Sequence, residues 1–283
     1  MPELPEVEVL VRHLARCVVG RTIRKVEVRD PRSLRHTTPA EFSRALRNAG
    51  IASVRRRGKY LVFTLRKRRQ RFPLLAHLGM TGRMYVLTRH ACQPPHATIV
   101  LGLGEEKLVF EDVRRFGGMT LKPSSLRRLG PEPLDPNFTA EVLREALARS
   151  LQPVKVKLLD QSVVAGIGNI YASEALFLAR IHPGRPARHL TESACRRLRN
   201  SIRRVLRDAI RFGSTVPLEF DSSNAGDGLF YYGTRAEVSA DYNERLRVYN
   251  QEGKPCLGCG SPIRKMVQAG RSTFYCPRCQ KGQ

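Results

Sequence analysis

The chain has 283 residues, enough for one large domain or two ordinary ones, and two are expected. Fifty basic against 25 acidic residues leave a formal charge of +25, and arginine supplies 40 of the fifty, so phosphate-rich nucleic acid leads as partner. The composition argues against acidic membrane, because no long basic amphipathic helix with an aromatic face is present, and against a membrane span, because the longest apolar runs are strand-sized.

The opening "MPELPEVEVL" has acidic residues where a signal peptide would carry a basic start and an apolar stretch, so the terminus is expected to belong to the folded protein. After Pro5, Val7, Leu10, Val11 and Leu14 repeat at helical spacing, with Pro5 suited to the first helical position and Glu6 and Glu8 to the positive end of the helix dipole. Thr38, Pro39 and Glu41 form a capping box, and that helix is expected to run to Gly50. Strand-like runs follow at Thr22 to Val28, Tyr60 to Leu65, Leu74 to Leu78, Arg83 to Leu87, Thr98 to Leu103 and Lys107 to Phe110, with glycine-containing turns such as "GLGEE". They predict a mainly antiparallel sandwich.

The proline-dense "LGPEPLDPN" reads as a linker. Beyond it the period becomes helical, at Val142 to Leu147, Val154 to Leu159, Ile170 to Ala179 and Thr191 to Phe212. The stretch 213–244 has little periodicity and is expected to be a long loop, of a length that in compact proteins is often functional or mobile.

Near the end, "CLGC" at 256–259 and "CPRC" at 276–279 give C-x2-C-x16-C-x2-C. Each pair can aim two thiolates at one tetrahedral ion, and Cys256, Cys259, Cys276 and Cys279 leave no open position, so one structural Zn2+ is expected. Two disulfides are the alternative. The remaining Cys17, Cys92 and Cys195 show no pairing pattern, which argues for a reducing, cytoplasmic compartment.

At the other end, removal of Met1 would leave Pro2 with a secondary amine of pKa about 8, able to attack an electrophilic carbon and form an iminium, with Glu3 beside it to move a proton. An ordinary helix entry explains the same dipeptide. The rest of the chain bears on the choice.

The stretches "MPELPEVE", "RRGKYL" (56–61), "HLGMTG" (77–82), "DVRRFG" (112–117), "LGPEPL" (129–134), "GIGNIYASEALF" (166–177), "IHP" (181–183) and "RSTFYCPRC" occur in order, and with them the chain resembles the bacterial formamidopyrimidine-DNA glycosylase family from end to end. The resemblance implies an α+β fold: an antiparallel β-sandwich with flanking helices over 1–133, a helix-two-turn-helix domain over 134–245, and a β-hairpin zinc finger over 246–283. It implies a monomer that removes oxidised purines from duplex DNA and cleaves the strand by β,δ-elimination. Pro2 would be the nucleophile, Glu3 the acid that assists base loss and ring opening, Lys59 a proton carrier near the lesion phosphate, and Arg271 a phosphate ligand for δ-elimination. Met80 and Phe116 would be wedges that fill the gap left by the flipped base, and Arg114 would bond the orphaned partner base. His77, His96, Lys155 and Asn169 would contact DNA.

The pattern departs from the family at Val113, where proline is usual, at Val156 likewise, and at Ser150, where a basic residue is common. The stretch 221–243 looks longer than usual, which bears on lesion preference. Oxidised pyrimidines as substrate, and a silent damage-binding zinc protein, are the competing functions.

Overall fold

The structure, a computed structural model, describes residues 2–212 and 246–281; the long loop expected over 213–244 lies outside them. The described residues divide between two compact units, one ending at Arg127 and the other beginning at Arg128.

In the first unit, α1 (Leu4–Val18) starts on the proline entry anticipated above and buries Leu4, Val7, Leu10, Val11, Leu14 and Val18. Two four-stranded sheets follow. One has the order β1 (Lys25–Val28), β6 (Ala97–Gly102), β7 (Glu106–Glu111), β5 (Arg83–Thr88); the other runs β2 (Gly50–Arg57), β3 (Tyr60–Lys67), β4 (Gln70–His77), β8 (Gly118–Thr120). All neighbouring strands are antiparallel. Alternate residues of β3, Leu61, Phe63 and Leu65, join Ile99 and Leu101 of the other sheet and the apolar face of α1 in one core cluster, as expected of a sandwich.

Several details differ from the sequence expectations, which include neither β8 nor the first half of β4. The second helix, α2 (Pro39–Leu46), has its capping box but stops short of Gly50, because Asn48 turns the chain through a left-handed φ of 63°. β2 was not anticipated: its arginines at 55, 56 and 57 mask the strand period, and it is visible only through its pairing with β3. A short helix, α3 (Ser124–Arg127), closes the unit.

The second unit holds α4 (Ala140–Leu147), α5 (Val154–Leu159), α6 (Asn169–Ala179), α7 (Glu192–Arg211) and the hairpin β9 (Arg264–Gln268) with β10 (Arg271–Tyr275). α7 buries Leu198, Ile202, Val205, Leu206 and Ala209 on one stripe, as its period predicts. α6 is buried nearly all round. The segment read as a linker is packed instead: the Gly130 N–H donates to the Gln161 carbonyl at 2.8 Å, and a Cβ at Gly130 would lie 2.3 Å from the Ser162 carbonyl. Phe177 of α6 packs with Val248, Ile263 and Phe274, which seats the hairpin against the helices.

Candidate active site and metal centre

Pro2 and Glu3 are both buried at the head of α1, Glu3 to 1% exposure. The Glu3 N–H donates to Glu6 Oε2 at 2.7 Å, which holds the start of the helix closed. Lower on the same helix, Glu8 accepts from Arg56 Nε at 2.8 Å, and Arg56 Nη1 reaches the Gly58 carbonyl at 3.1 Å. Burial raises the Glu8 pKa, but the hydrogen bond and charge of Arg56 outweigh it and hold the carboxyl below its usual range. Sequence reading missed Arg56. It ties the helix that carries Pro2 to the two-residue turn, Gly58-Lys59, that carries Lys59.

Gly58 takes a φ of 57° in that turn, and Lys59 is 7% exposed. Tyr60 pairs across the sheet with His77, and their rings lie 4.8 Å apart. Burial, with the cations of Lys59 and Arg35 second, lowers the His77 pKa to about 4. Its Nδ1 accepts the Gly79 N–H at 3.0 Å, so the neutral ring carries its proton on Nε2.

From His77 the chain enters the loop with Met80, which is 40% exposed; the loop between β7 and β8 carries Arg114 and Phe116, the latter 55% exposed. The two loops touch backbone to backbone, since a Cβ at Gly79 would fall 2.4 Å from the Gly117 nitrogen. Asp112, 1% exposed, clamps them. Its Oδ1 accepts from the Thr81 hydroxyl at 2.6 Å and the Arg114 N–H at 3.2 Å, and its Oδ2 from the Gly117 N–H at 2.7 Å. Arg35 adds donors to the carbonyls of Arg115 and Gly117, and Arg115 pairs with Asp30. Core packing would have hidden Met80 and Phe116; both project, and the Arg114 guanidinium lies 4.8 Å from the centre of the Phe116 ring. His96 is exposed, and its carbonyl accepts the Asp112 N–H at 3.2 Å.

In the second unit, Asn169 opens α6, the end of a helix whose dipole favours an anion. Gln161 orders the preceding turn: its Nε2 donates to the Leu159 and Ile167 carbonyls, and its Oε1 accepts the Gly166 N–H at 2.9 Å. Lys155 is buried rather than at the surface. It is 1% exposed, and its Nζ donates to Asn169 Oδ1 at 2.6 Å, Thr273 Oγ1 at 2.7 Å and the Ser272 carbonyl at 3.0 Å. Asn169 Nδ2 donates to the same carbonyl at 2.9 Å, which brings Asn169 beside exposed Arg271 at the start of β10.

Glu174 is a second residue that sequence reading passed over. Its carboxylate receives the N–H groups of Arg247, Val248 and Tyr249 at 3.0, 2.9 and 2.9 Å. Burial pushes its pKa up, against the pull of those three donors. The available signal was a lone charge inside the apolar "NIYASEALFLA".

The four sulfurs of Cys256, Cys259, Cys276 and Cys279 lie within 4.8 Å of one another, with no disulfide among them. The distances Cys256 to Cys279, 3.9 Å, and Cys259 to Cys276, 3.4 Å, bracket the edge of about 3.8 Å that a tetrahedron with zinc–sulfur bonds of about 2.3 Å requires. The N–H groups of Gly258 and Cys279 point at Cys256 and Cys276 sulfur, as in metal knuckles. The residues fit one zinc ion.

Residues 1–119 match the formamidopyrimidine-DNA glycosylase N-terminal domain, 129–219 that enzyme's H2TH domain, and 253–282 the zinc finger found in FPG and IleRS. The chain belongs to the formamidopyrimidine-DNA glycosylase family. The family's enzyme from Symbiobacterium thermophilum is 45% identical over 99% of this chain and 89% of its own. A Lactococcus lactis Fpg mutant bound to Fapy-dG containing DNA superposes with a TM-score of 0.87 at 35% identity, covering 99% of this chain and all of that one. MutM bound to carbocyclic 8-oxo-G containing DNA gives 0.86 at 36%, with the same coverage. No helix among the described residues is long and apolar enough to cross a membrane.

Proposed function

We propose that the protein is a bifunctional DNA glycosylase and AP lyase of base excision repair, acting on oxidised purines, 8-oxoguanine and formamidopyrimidines, in duplex DNA. The observation that carries the catalytic assignment is the buried Pro2-Glu3 pair at the head of a core-anchored helix, tied through Glu8 and Arg56 to the turn bearing Lys59.

The Pro2 amine, freed of Met1, attacks C1′ of the damaged nucleotide. The C1′–N bond breaks, its electron pair leaves with the base, and the base takes a proton while the newly bonded Pro2 nitrogen gives up its own. Glu3 protonates O4′ as the sugar ring opens to the Pro2 iminium. Removal of a C2′ proton, in which Lys59 takes part, expels the 3′ phosphate, and a second elimination expels the 5′ phosphate held by Arg271. Water then hydrolyses the iminium and regenerates the amine.

A stacked base cannot reach Pro2, so the lesion must be flipped at a cost of a few kcal/mol. Met80 and Phe116 fill the gap and Arg114 bonds the orphaned base. His77 donates from Nε2 as a neutral group, while His96 and Asn169 contact the backbone. Lys155 acts through Asn169, holding its amide in place. The parts 1–133, 134–245 and 246–283 serve as catalytic, DNA-binding and zinc-finger domains. The four cysteines hold zinc with no site left for substrate, so the ion supplies rigidity to the hairpin that carries Arg271.

Borohydride reduction on an 8-oxoguanine:cytosine duplex is expected to give an adduct on Pro2 by mass spectrometry, and Pro2→Gly to lose trapping by orders of magnitude while keeping DNA affinity within a few-fold. An adduct on abasic DNA alone would restrict the protein to the lyase step. Failure on both would favour a silent damage binder, and preference for an oxidised pyrimidine would move the substrate class.

A further inference from the structure

At the end of β3 opposite Lys59, the hairpin to β4 carries "RKRRQR" at 66–71. Three features of this tip oppose local stability. Arg66 and Arg71 face each other as partners across the ladder, where like charges repel. Arg68 takes a left-handed φ of 54° in the two-residue turn, a conformation that glycine or asparagine adopts more readily. Little acid offsets the charge: among the described residues Arg44, Arg66, Lys67, Arg68, Arg69 and Arg71 form no ion pair, with Glu41 acting on Arg44 only at longer range, whereas elsewhere on this unit Arg12, Arg21, Lys25 and Arg89 pair with carboxylates.

Lys67 draws α2 into the group by donating to the Arg44 carbonyl at 2.6 Å, and Arg44 itself is exposed there. The result is a cationic surface shared by the hairpin tip and α2. Lys67, eight steps along β3 from Lys59, stands about 26 Å from it at about 3.3 Å per residue.

We propose that this surface binds the phosphates of nucleic acid outside the segment held at the catalytic end. Guanidinium groups released from local repulsion by a polyanion, and displacing its counterions, supply affinity without sequence preference. Nucleic acid is favoured over an acidic protein because Lys67, Arg68, Arg69 and Arg71 crowd the groove in which Ala45 and Phe72 are the apolar side chains, a charge density suited to an evenly charged backbone. The inference rests on DNA being the substrate.

The test compares wild type with the triple variant Arg68→Ser, Arg69→Ser, Arg71→Ser. A lesion-centred duplex of about 12 base pairs extends only about 20 Å to either side, less than the distance from Lys59 to the tip backbone, whereas an undamaged duplex of several hundred base pairs exceeds that distance. Cleavage of the short duplex is expected to stay unchanged. Affinity for the long duplex should fall about tenfold or more at low salt, with the slope of log K against log salt shallower by about 2 to 3, and lysines at the three positions should restore both. Unchanged affinity for long DNA would overturn the proposal and leave an acidic protein as the occupant. Equal loss on short and long duplexes would overturn the distal placement. Should the triple variant fail to fold, Arg44→Ser on α2 serves the same comparison with a slope change of about 1. Wild-type protein that bound long DNA but left the lesion duplex uncut would count against the glycosylase reading alone.

Discussion

A lysine at 1% exposure is tolerable only if acceptors replace its water, and Lys155 has Asn169, Thr273 and the Ser272 carbonyl. The resemblance supplies the position but not the depth, because burial depends on β10 closing over α5. His77 shows the reverse case. Its residue type suggests a cation, yet burial and the neighbouring Lys59 and Arg35 charges keep it neutral at working pH. The folded-state pKa of about 4 lies below the ordinary 6.5, so the unfolded chain takes up the proton first as pH falls. The stability contributed is therefore present above about 6.5 and lost as pH falls from there toward 4. Urea melts across that range are expected to show a steeper decline for wild type than for His77→Gln; identical pH dependence would contradict the assignment.

At the scale of elements, the motifs "HLGMTG" and "DVRRFG" are two halves of one device. Their glycines permit the backbone contact between Gly79 and Gly117, and Asp112 bonds both loops. Val113 in place of the usual proline removes a local constraint, but hydrogen bonds from the Arg114 and Gly117 N–H groups to Asp112 constrain the same turn from the core side. Asp112→Ala leaves the Gly117 N–H without its acceptor and should cost about 2 to 4 kcal/mol in a urea melt. Hydrogen exchange should quicken at Arg114 and Gly117 while β3 stays protected. Unchanged exchange at those two amides would show that Arg35 and the glycine contact hold the loop without it.

For the whole molecule, the finger is part of the second unit's core and not an appendage. Phe274 and Ile263 pack with Phe177, and Gln280 bridges the Cys276 N–H and the Ile181 carbonyl at 2.9 and 2.8 Å. Structural zinc contributes on the order of 10 kcal/mol to such folds. Chelation is expected to abolish DNA binding and to loosen the helices around α6, while the first unit retains its β circular-dichroism signal because its core lies between its own sheets. Complete loss of the β signal on chelation would contradict that independence.

The sequence by itself determined the features written in local chemistry. The proline entry and apolar stripe of α1, the capping box of α2, the stripe of α7 and the four-cysteine spacing each depend on residues a few positions apart, where period and side-chain reach suffice. Only the tertiary structure decided what depends on distant partners. β2 became a strand through pairing with β3, the proline-rich segment at 129–137 became packed chain through Gln161 and Ser162, and Arg56, Asp112 and Glu174 acquired their roles from groups 48, 31 and 73 residues away. A buried charge is placed where its counterpart arrives, and that arrival is a property of the closed core.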